Sequence, residues 1–152
     1  MENTMMLLSV YDNDLRTYGE HLLFLYRILG ERKPHQAISH RKMPTFEQHR
    51  EFVSRRPYKE WLIAYNNGKV GSVYLSEQDE IGLFVLEEHQ NKGLGGEILD
   101  CFLSSGLSNV YYANINPLNF KSINFFKKHG FEWHKDKSVN RLDISQVTYI
   151  KA

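Results

Sequence analysis

One short stretch constrains this chain more than any other: Gln90-Asn91-Lys92-Gly93-Leu94-Gly95-Gly96, set between an apolar run and a helical one. The run before it, Ile81-Gly82-Leu83-Phe84-Val85-Leu86, is apolar at both parities, as expected of a central strand covered on both faces. The run after it, from Leu94 through Leu107, puts Leu94, Ile98, Cys101, Phe102 and Ser105 on one stripe and predicts a helix. Glycines between a strand and a helix let the backbone bend tightly and approach a ligand closely, and successive amides at the helix start point the same way. The helix end adds about half a positive charge, so a pyrophosphate can bind there without a cationic cluster. Two other glycine-loop chemistries fail on spacing. A Walker A loop ends in Gly-Lys-Ser/Thr, whereas Lys92 precedes the glycines. A dinucleotide fingerprint needs a third glycine where Ile98 stands.

The 152 residues are the length of one ordinary domain, and 41% apolar with 24% charged residues fits a soluble globular chain rather than a disordered or fibrous one. Nineteen Lys and Arg against eighteen Asp and Glu leave a formal charge of +1, with no basic stripe to neutralise a run of phosphates. A nucleic-acid partner is not expected. The lone Cys101 excludes an intrachain disulfide framework and a cysteine zinc cluster, and its place near an apolar helix stripe predicts a buried, inert thiol. No metal site is expected: His35, His40 and His49 lack the i,i+4 pair of a helical zinc site, and His129 and His134 straddle Gly130 without partners. The start lacks a signal peptide's basic and long apolar regions, and no run approaches a membrane span. The expectation is a cytoplasmic chain with no membrane partner.

Along the chain the pattern is alternating. Residues 5–11 read as a strand and Leu15 to Leu29 as a helix, ended by Gly30. Thr45 and Gln48 form a capping box for a second helix carrying Phe46, His49, Phe52 and Val53 on one face. Residues 61–65 and 70–75 flank Asn66-Asn67-Gly68-Lys69, a hairpin signal. Strands at 110–115, 131–133 and 147–150 and a helix at 119–128 complete the order. This predicts an α/β fold with a mixed sheet.

The loop matches Gln/Arg-x-x-Gly-x-Gly/Ala, the acetyl-CoA pyrophosphate loop of the GNAT N-acetyltransferase superfamily. Further along, Asn119-x-x-Ser122-x-x-Phe125-Phe126-x-x-x-Gly130-Phe131 is similar to that family's second signature, in which an Asn opens a helix ending in Gly-Phe. The two occur in the right order across residues 81–131. The chain therefore resembles a GNAT acetyltransferase, which implies a single GNAT domain over 1–152 with a mixed, mostly antiparallel sheet flanked by helices. It also implies acetyl-CoA as co-substrate and no metal. By the same resemblance, backbone groups of Phe84 and Val85 would pair with the pantetheine arm, and Gln90, Asn91, Lys92, Gly93, Leu94, Gly95 and Gly96 would hold the pyrophosphate. Asn119 would bond near the pantetheine, and Ser122 and Lys128 would touch the nucleotide end. A solvated helix-end cation is the competing reading of Lys128.

The chain departs from the family at its acid. Many members carry Tyr in the helix before Gly-Phe to protonate the departing thiolate; here Phe126 stands there and has no proton to give. The loss is survivable, because a thiol of pKa near 8.5 leaves as thiolate at pH 7 at a cost of roughly 2 kcal/mol. Tyr74, Tyr111 and Tyr112 are alternative donors. The attacking amine must shed a proton, so a carboxylate or His is needed, directly or through water. Glu80, at the start of the central strand, is the expected catalytic base. Glu87 and Glu88 lie toward the phosphate end, and Glu77 and Asp79 lie in the preceding turn. Asn114, where many members have Glu, cannot serve as a base, and His49 is a weaker candidate. Glu80 also admits a plainer reading, a solvated residue of that turn.

The acceptor is read from residues 15–57. Arg27, the loop from His35 to Met43 and the helix after Thr45 resemble parts of acetyltransferases acting on nucleotide-linked amino sugars. Arg41, Lys42, Arg55 or Arg56 would then meet nucleotide phosphates, and Trp61, Tyr65 and Tyr74 would line the acceptor pocket. The expected partner is a small-molecule amine, with a homodimer left open. Acetylation of a protein N-terminus or lysine is the alternative, as is a module that binds acetyl-CoA without turnover.

Overall fold

The computed structural model describes residues 4–32, 42–134, 139–140 and 145–152. Strand β1 (Met6–Ser9) leads to helices α1 (Leu15–Glu31) and α2 (Phe46–Ser54), then to β2 (Glu60–Tyr65), β3 (Lys69–Leu75) and β4 (Glu80–Val85). A single 3-10 turn at Glu87–His89 and the glycine loop precede α3 (Leu94–Leu103). Strand β5 (Tyr111–Ile115), α4 (Phe120–Lys128), β6 (Glu132–Trp133), β7 (Val139–Asn140) and β8 (Ser145–Lys151) follow. The sheet runs β1-β2-β3-β4-β5-β8-β6, with β7 beside β8. Among the described strands only β4 and β5 pair in parallel, so the sheet is mixed and mostly antiparallel, as the sequence predicts.

Local chemistry explains the joints. Asp14 caps α1 by accepting from the Arg16 amide, and Thr45 and Gln48 close the predicted capping box on α2. Asn67 and Gly68 both take positive φ, at 57° and 117°, which turns β2 tightly into β3. Helix α3 stops short of the predicted Leu107. The Ser104 and Ser105 hydroxyls bond back to the Cys101 and Phe102 carbonyls, and Gly106 then turns left-handed at φ 70°. Strand β7 carries no alternation that would have marked it in the sequence.

Helices cover both faces of the sheet. On one, Ile98, Leu99 and Phe102 of α3 and Phe126 of α4 pack on Val73, Leu75, Ile81 and Ala113. On the other, Leu22, Leu25 and Ile28 of α1 and Val53 of α2 pack on Trp61 and Ile63. Each such side chain contributes about 1.5–3 kcal/mol by leaving water. Cys101 is a correction. The apolar stripe of α3 runs through Leu94, Ile98, Leu99 and Phe102, which leaves Cys101 at its margin and half-buried rather than buried.

One feature of this sheet positions the site. Strand β4 pairs with β5 only at Glu80↔Tyr112 and Ile81↔Ala113, although both strands continue beyond. On its other edge β4 stays paired with β3 as far as Val85. The residues from Gly82 to Val85 therefore present one unpaired strand edge.

Candidate active site

The unpaired edge can be assigned atom by atom. Leu86 N–H donates to Val70 and the Glu80 carbonyl accepts from Ser76, so these residues direct their backbone groups toward β3. Alternation along the strand then turns Phe84 toward β3 and turns Leu83 and Val85 toward the gap. This corrects the expectation for Phe84: its backbone belongs to the sheet, and Leu83 joins Val85 in facing the gap. The Val85 carbonyl is already taken by Gln90 Nε2 at 2.9 Å. Gln90 thus ties the end of β4 to the glycine loop.

The loop delivers its amides to solvent. Asn91 and Gly93 are both left-handed, at φ 63° and 78°, and Gly93 caps α3 with no side-chain bond. The first bond of α3 is Glu97 N–H to the Gly93 carbonyl at 3.2 Å, so the amides of Leu94, Gly95 and Gly96 lack helical acceptors. Asn91, Lys92 and Gly93 are exposed; Leu94 is buried, so only its amide can serve. Gly95 and Gly96 are small for a different reason. A Cβ on Gly95 would meet Phe125 at 3.4 Å and Val85 at 3.7 Å, and one on Gly96 would meet His129 at 3.0 Å. Their missing side chains let α3 sit close against α4. Lys121, which sequence reasoning passed over, brings Nζ to 3.4 Å from Gln90 Oε1 and 3.3 Å from Asn91 Oδ1. No spacing rule links residues thirty apart; only the packing of α4 beside the loop does. A cation, unpaired backbone amides and an open left-handed glycine suit a pyrophosphate.

Asn119 and Ser122 meet, but as a cap: Asn119 Oδ1 accepts the Ser122 amide at 3.2 Å and opens α4. Lys128 is exposed in the last turn of α4, where a cation complements the helix dipole, in keeping with its plainer reading. Phe126 is buried, 5% exposed, with its ring 5.0 Å from Phe131 and 5.2 Å from Phe125. Tyr111 is buried on the α3 face beside Ser108, away from Glu80.

Glu80 is not a loose turn residue. It opens β4, half-buried, and both carboxylate oxygens accept hydrogen bonds. Ser76 Oγ donates to Oε1 at 3.3 Å and Asn114 Nδ2 donates to Oε2. The carboxylate stands at the first of the two β4–β5 pairs, one residue before the strands part, on the sheet face that also carries Tyr74, Tyr112 and Asn114. Of the other acids, Asp79 pairs with Lys59 at 2.6 Å, which holds its carboxyl below the usual range, and Glu88 pairs with Arg27 at 3.0 Å. Glu87 donates its amide to Glu31. His49 is buried with Nε2–H donating to the Leu22 carbonyl at 3.1 Å, and burial pushes its pKa down. It is a structural histidine.

Beside Glu80 lies an aromatic wall. The Tyr58 and Tyr74 rings stack at 3.8 Å and 7°, and Trp61 meets Tyr58 edge-on at 4.7 Å. Burial raises both tyrosine pKa values, Tyr58 further through the neighbouring Tyr74 and Tyr74 further through Glu80, while the Arg32 charge opposes it at both. Tyr74 is therefore a weaker acid than a free phenol, and the Arg32 charge is felt at both rings. Arg55 pairs with Glu51, and Arg56 lies 4.1 Å over the Tyr11 ring. Lys42 is exposed, Tyr65 contacts His21, and His35, His40 and Arg41 lie outside the described residues.

A strand edge left open beside a glycine-rich helix start, with a carboxylate just before the edge, is the arrangement expected of a CoA-dependent acyltransferase. A family model described as "Acetyltransferase (GNAT) domain" matches residues 57–133. The chain belongs to the GNAT acetyltransferase family, and its activity is acetyl-CoA-dependent acetyl transfer. No curated protein matches. Solved structures agree in fold. An acetyltransferase from Thermus thermophilus shares 22% identity over 99% of each chain, with a TM-score of 0.70. The spermidine N-acetyltransferase of Vibrio cholerae in complex with CoA and spermine shares 15% over 97% of this chain and 93% of that one, at 0.71. Arabidopsis thaliana Naa50 in complex with the bisubstrate analogue CoA-Ac-MVNAL shares 18% over 98% and 99%, at 0.61. No described helix is long and apolar enough to cross a membrane.

Proposed function

We propose that this protein acetylates a primary amine on a small molecule of the nucleotide-linked amino-sugar type, with Glu80 taking the amine proton. Acetyl-CoA supplies the acetyl group as a thioester. The amides of Gly93 to Gly96, with Lys121, hold the pyrophosphate, and Leu83 offers its backbone groups and Val85 its N–H to the pantetheine. As the amine nitrogen bonds to the acetyl carbon, the bond to sulfur breaks. The amine proton passes to Glu80, directly or through one water. The thiolate takes its proton from solvent or from Tyr112, which shares the Glu80 face; Phe126 gives none.

The observation that carries this reading is the Glu80 carboxylate one residue before β4 and β5 part, beside the Tyr58–Tyr74 stack. A flat aromatic wall suits a sugar ring, and Arg32, whose charge reaches both rings, is the proposed partner of a nucleotide phosphate. The test is thiol release from acetyl-CoA with a panel of amines: a nucleotide-linked 4-amino sugar, peptides with free N-termini, and spermidine. Fastest turnover of the amino sugar is expected. A peptide turning over faster would transfer the protein to N-terminal acetylation, and acetyl-CoA binding without turnover on any amine would make it a binding module.

A further inference from the structure

We propose that Asn114 and Thr148 are positioning residues that fix the Glu80 carboxylate for proton transfer, an inference that rests on Glu80 being the proton acceptor. The three side chains form a row across three neighbouring strands: Glu80 on β4, Asn114 on β5 and Thr148 on β8. Thr148 Oγ1 donates to Asn114 Oδ1 at 2.7 Å, and Asn114 Nδ2 donates to Glu80 Oε2. Hydrogen-bond logic makes the row directional. A carboxylate only accepts, so the Asn114 amide must turn its nitrogen toward Glu80 and its oxygen toward β8. That oxygen needs a donor, and Thr148, fully buried, supplies one. Thr148 thereby fixes which way the Asn114 amide points.

The opposite oxygen is held by the same economy of donors. Ser76 Oγ accepts the amides of Glu80 at 3.0 Å and Gln78 at 3.2 Å, which leaves its single hydrogen for Glu80 Oε1 at 3.3 Å. With a donor on each oxygen, the carboxylate plane cannot rotate freely, and its remaining lone pairs keep one direction. Asn114 cannot be a base itself; in this row its amide orients one. The paired strands make the arrangement rigid, since Glu80 sits opposite Tyr112 and Asn114 opposite Thr148 in register.

Two measurements on the full chain test this. In the ¹⁵N-labelled protein without acceptor, the Asn114 side-chain amide resonance is expected to shift in both Glu80→Gln and Thr148→Val. A resonance that ignores either change would overturn the row. With the fastest amine of the panel, Thr148→Val should lower kcat about tenfold, the worth of one ordinary hydrogen bond. Thr148→Ser, which keeps the donor, should restore kcat to within about twofold, with acetyl-CoA affinity steady in both. Placed on Glu80→Gln, Thr148→Val should add almost nothing, because its effect runs through the carboxylate. Equal losses in both backgrounds would reduce Thr148 to a stability residue and overturn the proposal while leaving Glu80 as the base. A Glu80→Gln enzyme with unchanged kcat would overturn the base reading and the positioning role together.

Discussion

Tyr74 lies flat across Gly82: a Cβ at Gly82 would fall 2.0 Å from Tyr74 Cε2 and 2.1 Å from Cζ. The two residues face each other in the β3–β4 register, and the far side of the Tyr74 ring is covered by Tyr58. Glycine at 82 thus lets the aromatic wall lie down beside Glu80. Gly82→Ala should lift Tyr74, cost roughly 1–3 kcal/mol in stability as overpacking does, and raise KM for the amine while sparing acetyl-CoA affinity. Thermal melts and steady-state kinetics check this. An unchanged melting temperature with an unchanged amine KM would mean that Tyr74 is free to move aside.

Gly93→Val and Gly95→Val should both weaken acetyl-CoA binding, for different reasons. Gly93 needs φ 78°, which a β-branched residue resists. Gly95 has Phe125 at 3.4 Å from its Cβ position, so valine would push α3 away from α4 and Val85. Calorimetry should show at least about a tenfold loss for each, with Gly95→Val also lowering the melting temperature. Normal binding by both variants would remove the loop from the cofactor site.

Much of this was legible because it is local. The Asn67-Gly68 turn, the Thr45–Gln48 box and the glycine loop each carry their chemistry within a few residues, and the structure places all three on the expected elements. What stayed hidden depends on tertiary pairing. Glu80 and Asn114 lie 34 positions apart and meet only because β4 and β5 run parallel for two residues. Lys121 reaches Gln90 and Asn91 only through the seat of α4. The turn of Phe84 toward β3 follows from a hydrogen-bond parity that no side-chain pattern reveals.

Phe126→Tyr should leave kcat unchanged or raise it, most visibly at low pH. Phe126 is packed between Phe125 and Phe131, so the new hydroxyl should cost roughly 1–3 kcal/mol of stability unless it finds a partner. Kinetics and melting curves run side by side separate the two effects. A kcat lower by several orders of magnitude in a stably folded variant would mean that this ring packs against the cofactor.

His49 makes stability depend on pH with a definite sign. Burial holds its folded pKa below the ordinary value near 6.5, opposed by its bond to the Leu22 carbonyl. The unfolded chain therefore binds the proton first, and the stability present above about pH 6.5 is lost as pH falls through the folded pKa. The melting temperature of the wild type should fall more steeply between pH 7 and 5 than that of His49→Gln. Parallel curves would contradict the assignment.

The most direct measurement is kcat of Glu80→Gln from pH 6 to 9, read by thiol release, together with acetyl-CoA affinity by calorimetry. Glutamine keeps the shape and removes the basicity, so kcat should drop on the order of a hundredfold or more while acetyl-CoA binds as tightly as before. A variant that keeps near-normal kcat below pH 7 would contradict the account and leave proton removal to a water chain.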